Sequence, residues 1–106
     1  MITQYQIQQL INEIAVGYQP DKIYLFGSYA NGTATKDSDI DLFIVKDTDK
    51  RKVERSWEVK EGIKKYPKVG LDIFVLTNKE LEIGMKDVIN IGKEAINTGR
   101  LMYEKL

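Results

Sequence analysis

The sequence predicts an α/β domain in which helices flank a small mixed sheet. A helical pattern of apolar residues opens the chain, three short apolar runs follow, and further helical patterns lie between and after them. At 106 residues the chain is near the usual size of one independently folded unit, so a single domain over residues 1–106 is expected. These patterns do not specify which strands pair in parallel and which pair antiparallel.

Local signals mark where the elements begin and end. Apolar residues that recur every three to four positions predict helices, and short apolar runs between breaking residues predict strands. Gly17 and Pro20 are expected to end the first helix, Ser28 to cap a short helix, and Asp87 to cap the last one, while Thr77 begins a capping-box pattern. In chain order, the predicted elements are a helix over about residues 3–17, a strand over 23–26, a short helix over 28–31, a strand over 40–45, a helix over about 50–66, a strand over 71–76, a short helix from about 77 to 84, a helix from about 87 to 98, and either a closing strand or an extended tail over 100–106.

The second and third strands carry three aspartates. Side chains two apart on a strand point to the same face, so Asp39 and Asp41 are expected to point the same way, together with Phe43 and Val45. Asp72 interrupts the apolar run of the third strand. An ionised carboxylate is costly to bury there unless it is paired or binds a metal ion, although an edge position that faces water would remove this cost.

The long central helix is expected to pack through its apolar side. Val53, Trp57, Ile63 and Tyr66 fall on one side of the helix predicted over about residues 50–66. This side should face the core. Trp57 is therefore predicted to be a core residue and not a surface residue that contacts a partner or stacks on a nucleobase.

The composition excludes several kinds of chemistry. The chain contains no cysteine and no histidine, which excludes disulfides, a thiolate nucleophile, the usual zinc sites and a Ser-His-Asp triad within it. Sixteen basic and sixteen acidic residues cancel, which does not favour binding to nucleic acid. No secretory signal follows the first residue, and no apolar stretch approaches the length of about 20 residues that spans a membrane. We therefore expect a cytoplasmic protein without membrane segments.

Two short motifs and one isolated aspartate together indicate a nucleotide site. Gly27 would let the backbone approach a phosphate, and Ser28 would offer a hydroxyl at a helix N-terminus, where anions are favoured. Asp39 and Asp41 can reach one magnesium ion or a pair of ions, and Asp72 would complete the site beside the incoming hydroxyl. Taken singly, the Gly-Ser pair also fits an ordinary turn, and the aspartates fit a solvated loop edge. Their order and spacing favour nucleotidyl transfer, which depends mainly on positioning and charge neutralisation.

The segment from Ile23 to Val45, IYLFGSYANGTATKDSDIDLFIV, resembles the signature of the minimal nucleotidyltransferase family in the polymerase-β-type superfamily. That signature is Gly-Ser, a spacer, Asp-x-Asp on a strand, and an aspartate on a later strand. The resemblance covers nearly the whole chain and implies the polymerase-β-type nucleotidyltransferase core. It implies that Asp72 also assists the acceptor hydroxyl. It further implies three catalytic magnesium ligands, Asp39, Asp41 and Asp72, and two residues that hold the triphosphate of ATP, Gly27 and Ser28.

One position departs from the pattern of this family. Many relatives carry an arginine where this chain has Asn31, and a cation there could help to hold phosphates. Lys36, in the following loop, could substitute for it, but a solvated loop lysine is the simpler interpretation. The three aspartates are intact, so the departure does not indicate an inactive enzyme.

The chain has little room to recognise a second substrate, so the acceptor surface is expected to come from another polypeptide. By resemblance, free-standing minimal nucleotidyltransferases pair with small helical HEPN proteins as antitoxin and toxin. Characterised members transfer AMP from ATP to a tyrosine hydroxyl of the toxin, and the resemblance implies this Mg²⁺-dependent role here. Two alternatives stay open from the sequence: a module that neutralises its partner by contact alone, and a small-molecule nucleotidyltransferase that completes its site as a homodimer.

Overall fold

A computed structural model of the chain describes residues 1–84 and 91–106. Helices and strands follow one another in the predicted order. The predicted cap at Asp87 lies outside the described residues, and none of the described helices has the length and hydropathy needed to cross a bilayer. The described elements are α1 (Gln4–Tyr18), β1 (Lys22–Phe26), α2 (Ser28–Asn31), β2 (Ile40–Val45), α3 (Lys52–Glu61), β3 (Leu71–Leu76), α4 (Asn78–Gly84), α5 (Ile91–Thr98) and β4 (Arg100–Glu104).

The strands form one mixed sheet, as expected from the sequence, and their order in it is β3-β2-β1-β4. Strand β1 pairs antiparallel with β2 and with β4, whereas β2 and β3 run parallel. The parallel pair needs a crossover connection, which α3 provides between β2 and β3. Because β4 pairs with β1, residues 100–104 form the closing strand, which was one of the two alternatives that the sequence left open. The end of β1 meets the beginnings of β2 and β3 at one edge of the sheet.

Apolar side chains pack on both faces of the sheet. Strand residues 40, 42 and 44 lie in the larger cluster and residues 43 and 45 in the smaller one, so the predicted alternation of β2 is confirmed. By the same alternation, Asp41 and Asp72 lie on the face of the smaller cluster. The larger cluster joins α1 and α3 to the strand residues Ile23, Leu25, Ile40, Leu42, Ile44, Leu71, Ile73 and Val75. The smaller cluster joins α5 to the other face and consists of Phe26, Phe43, Val45, Leu76 and Ala95.

Helix α3 is shorter than predicted and turns a different side to the core. It ends at Glu61, just before Gly62, and does not continue to about residue 66. Trp57 is 58% exposed, so the prediction that it is a core residue is wrong. The buried residues of α3 are Arg55 and Val59.

An ion pair explains why a charged residue is buried at this helix. Arg55 Nη1 donates to Glu80 Oε1 at 2.6 Å and to the Val75 carbonyl at 3.2 Å, and Arg55 Nε donates to the Lys50 carbonyl at 2.8 Å. Glu80 also accepts from the Thr77 amide at 2.9 Å, which confirms the predicted capping box at the start of α4. Helix α3 is therefore fixed to the end of β3 by polar contacts. Val59 and, just past the helix, Ile63 are buried, whereas Val53 and Trp57 remain exposed.

Helix α1 ends later than Gly17 predicts. It continues through Gly17 to Tyr18, and Gln19 follows in the left-handed conformation with a φ of 53°. Pro20 accounts for this end, because the residue before a proline is disfavoured in the right-handed helical region. The glycine itself is accommodated within the helix.

Candidate functional site

The predicted site residues gather at the sheet edge where β1 ends and β2 and β3 begin. Phe26, the last residue of β1, is paired with Asp41 of β2, and Asp41 is paired in turn with Asp72 of β3. These three residues form one row across the sheet, and Gly27 follows Phe26 directly. The fold therefore brings together a turn and two carboxylates that are far apart in the sequence.

Asp41 and Asp72 are in direct contact. They lie opposite each other on neighbouring strands, with their side chains on the same face of the sheet. Burial is the largest cause that raises the pKa of Asp41 from 3.8 to about 6, followed by the charge and hydrogen bond of Asp72 and the charge of Asp39. Two ionised carboxylates at these positions would repel each other. A bound cation would relieve the repulsion, so the pair has the electrostatics of a cation site.

Asp39 reaches the same edge from the loop before β2, but its carboxyl group lies against Gly70. The Ile40 amide donates to the Gly70 carbonyl at 2.8 Å, which holds the two segments side by side. A Cβ atom on Gly70 would overlap the Asp39 carboxyl group, so the missing side chain makes room for it. Among residues 1–84 and 91–106, no three His, Cys, Asp or Glu side chains are grouped to hold a metal ion. The roles of Asp39, Asp41 and Asp72 as ligands stay a prediction.

The residues present nevertheless fit a divalent cation that is shared with phosphate oxygens. Magnesium in nucleotide sites is usually held by one or two carboxylates together with water and substrate phosphates. The Asp41–Asp72 pair supplies two carboxyl groups beside Gly27, and Asp39 adds negative charge at Asp41. All of these donors are oxygen atoms, the type that magnesium prefers.

Gly27 brings the backbone close to Asp41. Its φ of 75° and ψ of −155° lie in a region that residues with a side chain rarely adopt. A Cβ atom on Gly27 would overlap Asp41 Oδ2 and lie 3.3 Å from Asp41 Cγ. The Gly27 carbonyl accepts from the amides of Ala30 at 3.0 Å and Asn31 at 3.1 Å. Glycine is therefore required here both by the conformation and by the space.

Ser28 is the first residue of α2 and not its cap. The N-cap is Gly27, so the prediction that Ser28 caps this helix is wrong. The Ser28 amide instead belongs to the first turn, where amides have no acceptor within the helix. Gly32 ends α2 with a φ of 82°, as the sequence predicted. The role of Ser28 in holding a triphosphate stays a prediction.

Asn31 closes the turn after α2. Its side-chain oxygen accepts from the Thr33 amide at 3.1 Å and from the Thr33 hydroxyl at 2.5 Å. These bonds give Asn31 a structural role in the exposed loop that leads to β2.

Sequence reasoning missed two residues of this edge, Gly70 and Phe74. Gly70 accommodates the carboxyl group of Asp39, a contact that depends on the parallel pairing of β2 with β3. Phe74 lies on the same face as Asp72, and its ring packs against Phe26 with centroids 5.9 Å apart and planes inclined by 51°. Two-residue alternation along β3 places Phe74 on the face of Asp72, so the sequence does carry a signal for this residue.

An apolar groove of about 450 Å³ lies elsewhere, between α1 and residues 65–68. Ile40 lines this groove from the face opposite Asp41, and none of the five predicted site residues contributes to its lining. This groove is therefore separate from the candidate site.

The geometry defines a class of site. A glycine turn that admits close approach to the backbone, a helix N-terminus and a partly buried carboxylate pair meet at one edge of a mixed sheet. These are the parts that bind a metal-bound nucleoside triphosphate, whose transfer reactions depend on positioning and charge neutralisation.

Comparison with known proteins identifies the family. The nucleotidyltransferase domain family matches residues 7–100. The chain therefore belongs to this family and is a nucleotidyltransferase.

Two known proteins are similar over most of the chain. One, from Methanocaldococcus jannaschii, is named as a putative protein adenylyltransferase; it is 31% identical over 99 residues, which cover 92% of this chain and 94% of that protein. The other is the crystal structure of a putative nucleotidyltransferase from Sulfolobus solfataricus, with a TM-score of 0.62 and 22% identity over 93% of this chain and 78% of that one. The second likeness shows the fold.

Proposed function

We propose that this chain transfers AMP from ATP to a hydroxyl group of a partner protein, with Mg²⁺ as the required cation. The observation that carries the proposal is the Asp41–Asp72 contact beside Gly27, in a chain of the nucleotidyltransferase family. The similarity to a protein named as a putative protein adenylyltransferase supports a protein as the acceptor.

The donor nucleotide lies at the turn between β1 and α2. Gly27 lets phosphate oxygens approach the backbone, and Ser28 contributes its hydroxyl and an amide of the first helical turn. Asp39, Asp41 and Asp72 would hold the Mg²⁺, which when bound neutralises phosphate charge and favours ionisation of the attacking hydroxyl.

The reaction itself is a displacement at the α-phosphorus of ATP. The acceptor oxygen forms a bond to this phosphorus, the bond to the β-bridging oxygen breaks, and pyrophosphate leaves. The proton of the acceptor hydroxyl passes to the Asp72 carboxylate, which is exposed on its strand and faces the incoming group. Asp41, half-buried between the turn and Asp72, keeps the acidic pair in a fixed geometry.

The proposed acceptor is a tyrosine of a small helical HEPN protein, which the chain would neutralise as its antitoxin. The exposed Asp72 and the partly exposed Phe74 on β3 suit an acceptor that arrives on the surface of another folded protein. A cytoplasmic location, expected from the sequence, is part of the same proposal.

The test combines the chain, a helical HEPN protein encoded beside it and Mg-ATP, and measures the intact mass of the partner. We expect the partner to gain one or more AMP units. Asp72→Asn should abolish the gain, whereas Asp37→Asn, an exposed carboxylate of the loop before β2, should leave it unchanged.

Two results would favour other functions. If Asp72→Asn neutralises the partner fully and no mass is gained, the chain acts by contact alone. If AMP appears only on a small molecule, and only when the chain is a homodimer, the protein acceptor is excluded.

A further inference from the structure

We propose that Phe74 positions the acceptor by contact with an aromatic ring, so that the site selects a hydroxyl carried on a phenol over one carried on an aliphatic chain. This inference rests on the proposed function, because it concerns the second substrate of the same site. It assigns a role to a residue that no motif of the sequence singled out.

The sheet separates a donor side from an acceptor side. Gly27 follows β1, Asp41 lies on β2 and Asp72 lies on the outer strand β3, so the acidic pair extends from the phosphate turn to the outer strand. In an in-line displacement the leaving pyrophosphate and the attacking oxygen are on opposite sides of the phosphorus. Phosphates held at Gly27 therefore require the acceptor to arrive from the side of β3, where Phe74 lies.

Phe74 differs from the other apolar residues that β2 and β3 place on this face. Phe43 and Val45 are almost fully buried and Leu76 is 9% exposed, whereas Phe74 is 37% exposed. Its ring is nevertheless held in place by the ring of Phe26 at 5.9 Å. An apolar ring that is both fixed and accessible offers a surface for contact.

The distance along β3 fits a phenol. Phe74 and Asp72 are two residues apart on one face of the strand, a separation of about 6.6 Å. Aromatic pairs place their centroids about 4.5–7 Å apart. An acceptor ring in contact with Phe74 on the side of Asp72 therefore has its hydroxyl directed at the carboxylate that accepts the proton. The short aliphatic arms of serine and threonine cannot contact Phe74 in this way.

The kinetic test uses two free acceptors with Mg-ATP, N-acetyl-tyrosinamide and N-acetyl-serinamide, and measures AMP adducts by mass spectrometry. We expect the wild-type chain to prefer the tyrosine compound. Phe74→Leu, which keeps apolar bulk but removes the ring, should raise KM for the tyrosine compound about 3- to 10-fold, the range expected for one aromatic contact. Values of kcat and of KM for ATP should stay within about 2-fold, since no donor contact is changed.

A binding test needs no catalysis. Titration with 4-methylphenol should shift the ring resonances of Phe74 in the nuclear magnetic resonance spectrum of the wild-type chain, and cyclohexanol at equal concentration should not. Trp57→Ala is the matched control, because it removes an exposed aromatic residue from α3, on the opposite face of the sheet. It should leave the tyrosine preference and the phenol shifts unchanged.

Three outcomes would overturn the inference. Equal use of the two acceptors by the wild-type chain would show that no aromatic group is selected. An unchanged tyrosine preference in Phe74→Leu would show that another residue provides it. A rise of KM for ATP in Phe74→Leu, with the acceptor KM unchanged, would show that the ring contacts the nucleobase instead. Phenol binding at Phe74 without transfer to any hydroxyl, including those of the partner protein, would overturn the proposed function and leave this contact standing.

Discussion

Replacement of Asp41 by asparagine should stabilise the metal-free protein above pH 6. Burial and the neighbouring Asp72 raise the pKa of Asp41 to about 6, so the folded chain holds this proton more tightly than the unfolded chain does. The free energy of unfolding therefore falls as the pH rises from about 4 to about 6, and the loss is complete above that window. Asparagine cannot ionise, and it avoids the loss.

The magnitude follows from the difference between the two pKa values. A rise from 3.8 to about 6 corresponds to about 3 kcal/mol if it is fully expressed, since one pKa unit is about 1.4 kcal/mol. Asp41 is only half-buried, and solvent screening reduces this energy. We expect the free energy of unfolding of Asp41→Asn to be about 1–2 kcal/mol higher than that of the wild type at pH 8, and the two values to be equal near pH 4.

The assay is urea denaturation of both chains in EDTA at several values of pH. Lys105 lowers the pKa of Asp21 and Arg55 lowers the pKa of Glu80, so these two carboxylates stabilise the fold more as the pH rises. Both chains share these contributions, and the difference in the free energy of unfolding between the chains removes them. Mg²⁺ added at pH 8 should stabilise the wild type more than Asp41→Asn, because it binds the ionised pair.

A matched control separates this site from a general effect of charge. Asp37→Asn removes an exposed loop carboxylate and should give no pH-dependent difference from the wild type. If Asp41→Asn is less stable than the wild type at pH 8, or if their difference does not change with pH, then burial and the charge of Asp72 do not raise the pKa of Asp41 in the folded chain.

Three further sets of variants have defined outcomes. Gly27→Ala should lower the thermal midpoint in calorimetry more than Gly32→Ala, because both positions have positive φ but only the first would overlap a carboxyl group; equal shifts would contradict this. Arg55→Ala should cost about 2–4 kcal/mol in urea at pH 7, since Glu80 loses its partner, and a cost under 1 kcal/mol would show that the pair is dispensable. Trp57→Ser should change the free energy of unfolding by no more than about 0.5 kcal/mol, whereas a loss above about 2 kcal/mol would show that this side chain is packed in the core.

The strands could be predicted from local patterns, because the positions that a strand buries are occupied by apolar residues in the sequence. Ile40, Leu42 and Ile44 face the larger core and Phe43 faces the smaller one, as two-residue alternation requires. The same reasoning placed Asp41 on its correct face before any pairing was known.

The side of α3 that faces the core could not be predicted, because distant polar contacts decide it. Arg55 can be buried because it forms an ion pair with Glu80, which lies 25 positions later in the chain. No residue near Arg55 in the sequence signals this partner. The apolar pattern therefore predicts Val53 and Trp57 to be in the core, although both are exposed.

The candidate site was predictable in its members but not in its contacts. The order of Gly27, Asp41 and Asp72 indicated a nucleotide site, because each residue type suits phosphate or metal chemistry. Their adjacency depends on the parallel pairing of β2 with β3, which no local signal encodes. The contact of Asp39 with Gly70 depends on that pairing too.

The crossover through α3 has a consequence for the dynamics of the site. Strands β1 and β2 follow each other along the chain and pair directly, so the pairing that brings Gly27 to Asp41 closes a comparatively short loop. Asp72 joins them only through a pairing made at long range along the chain. A partial opening that detached β3 would break the acidic pair while most of the sheet remained intact. Amide hydrogen exchange that is faster along β3 than along β1 and β2 would report such a sub-global opening.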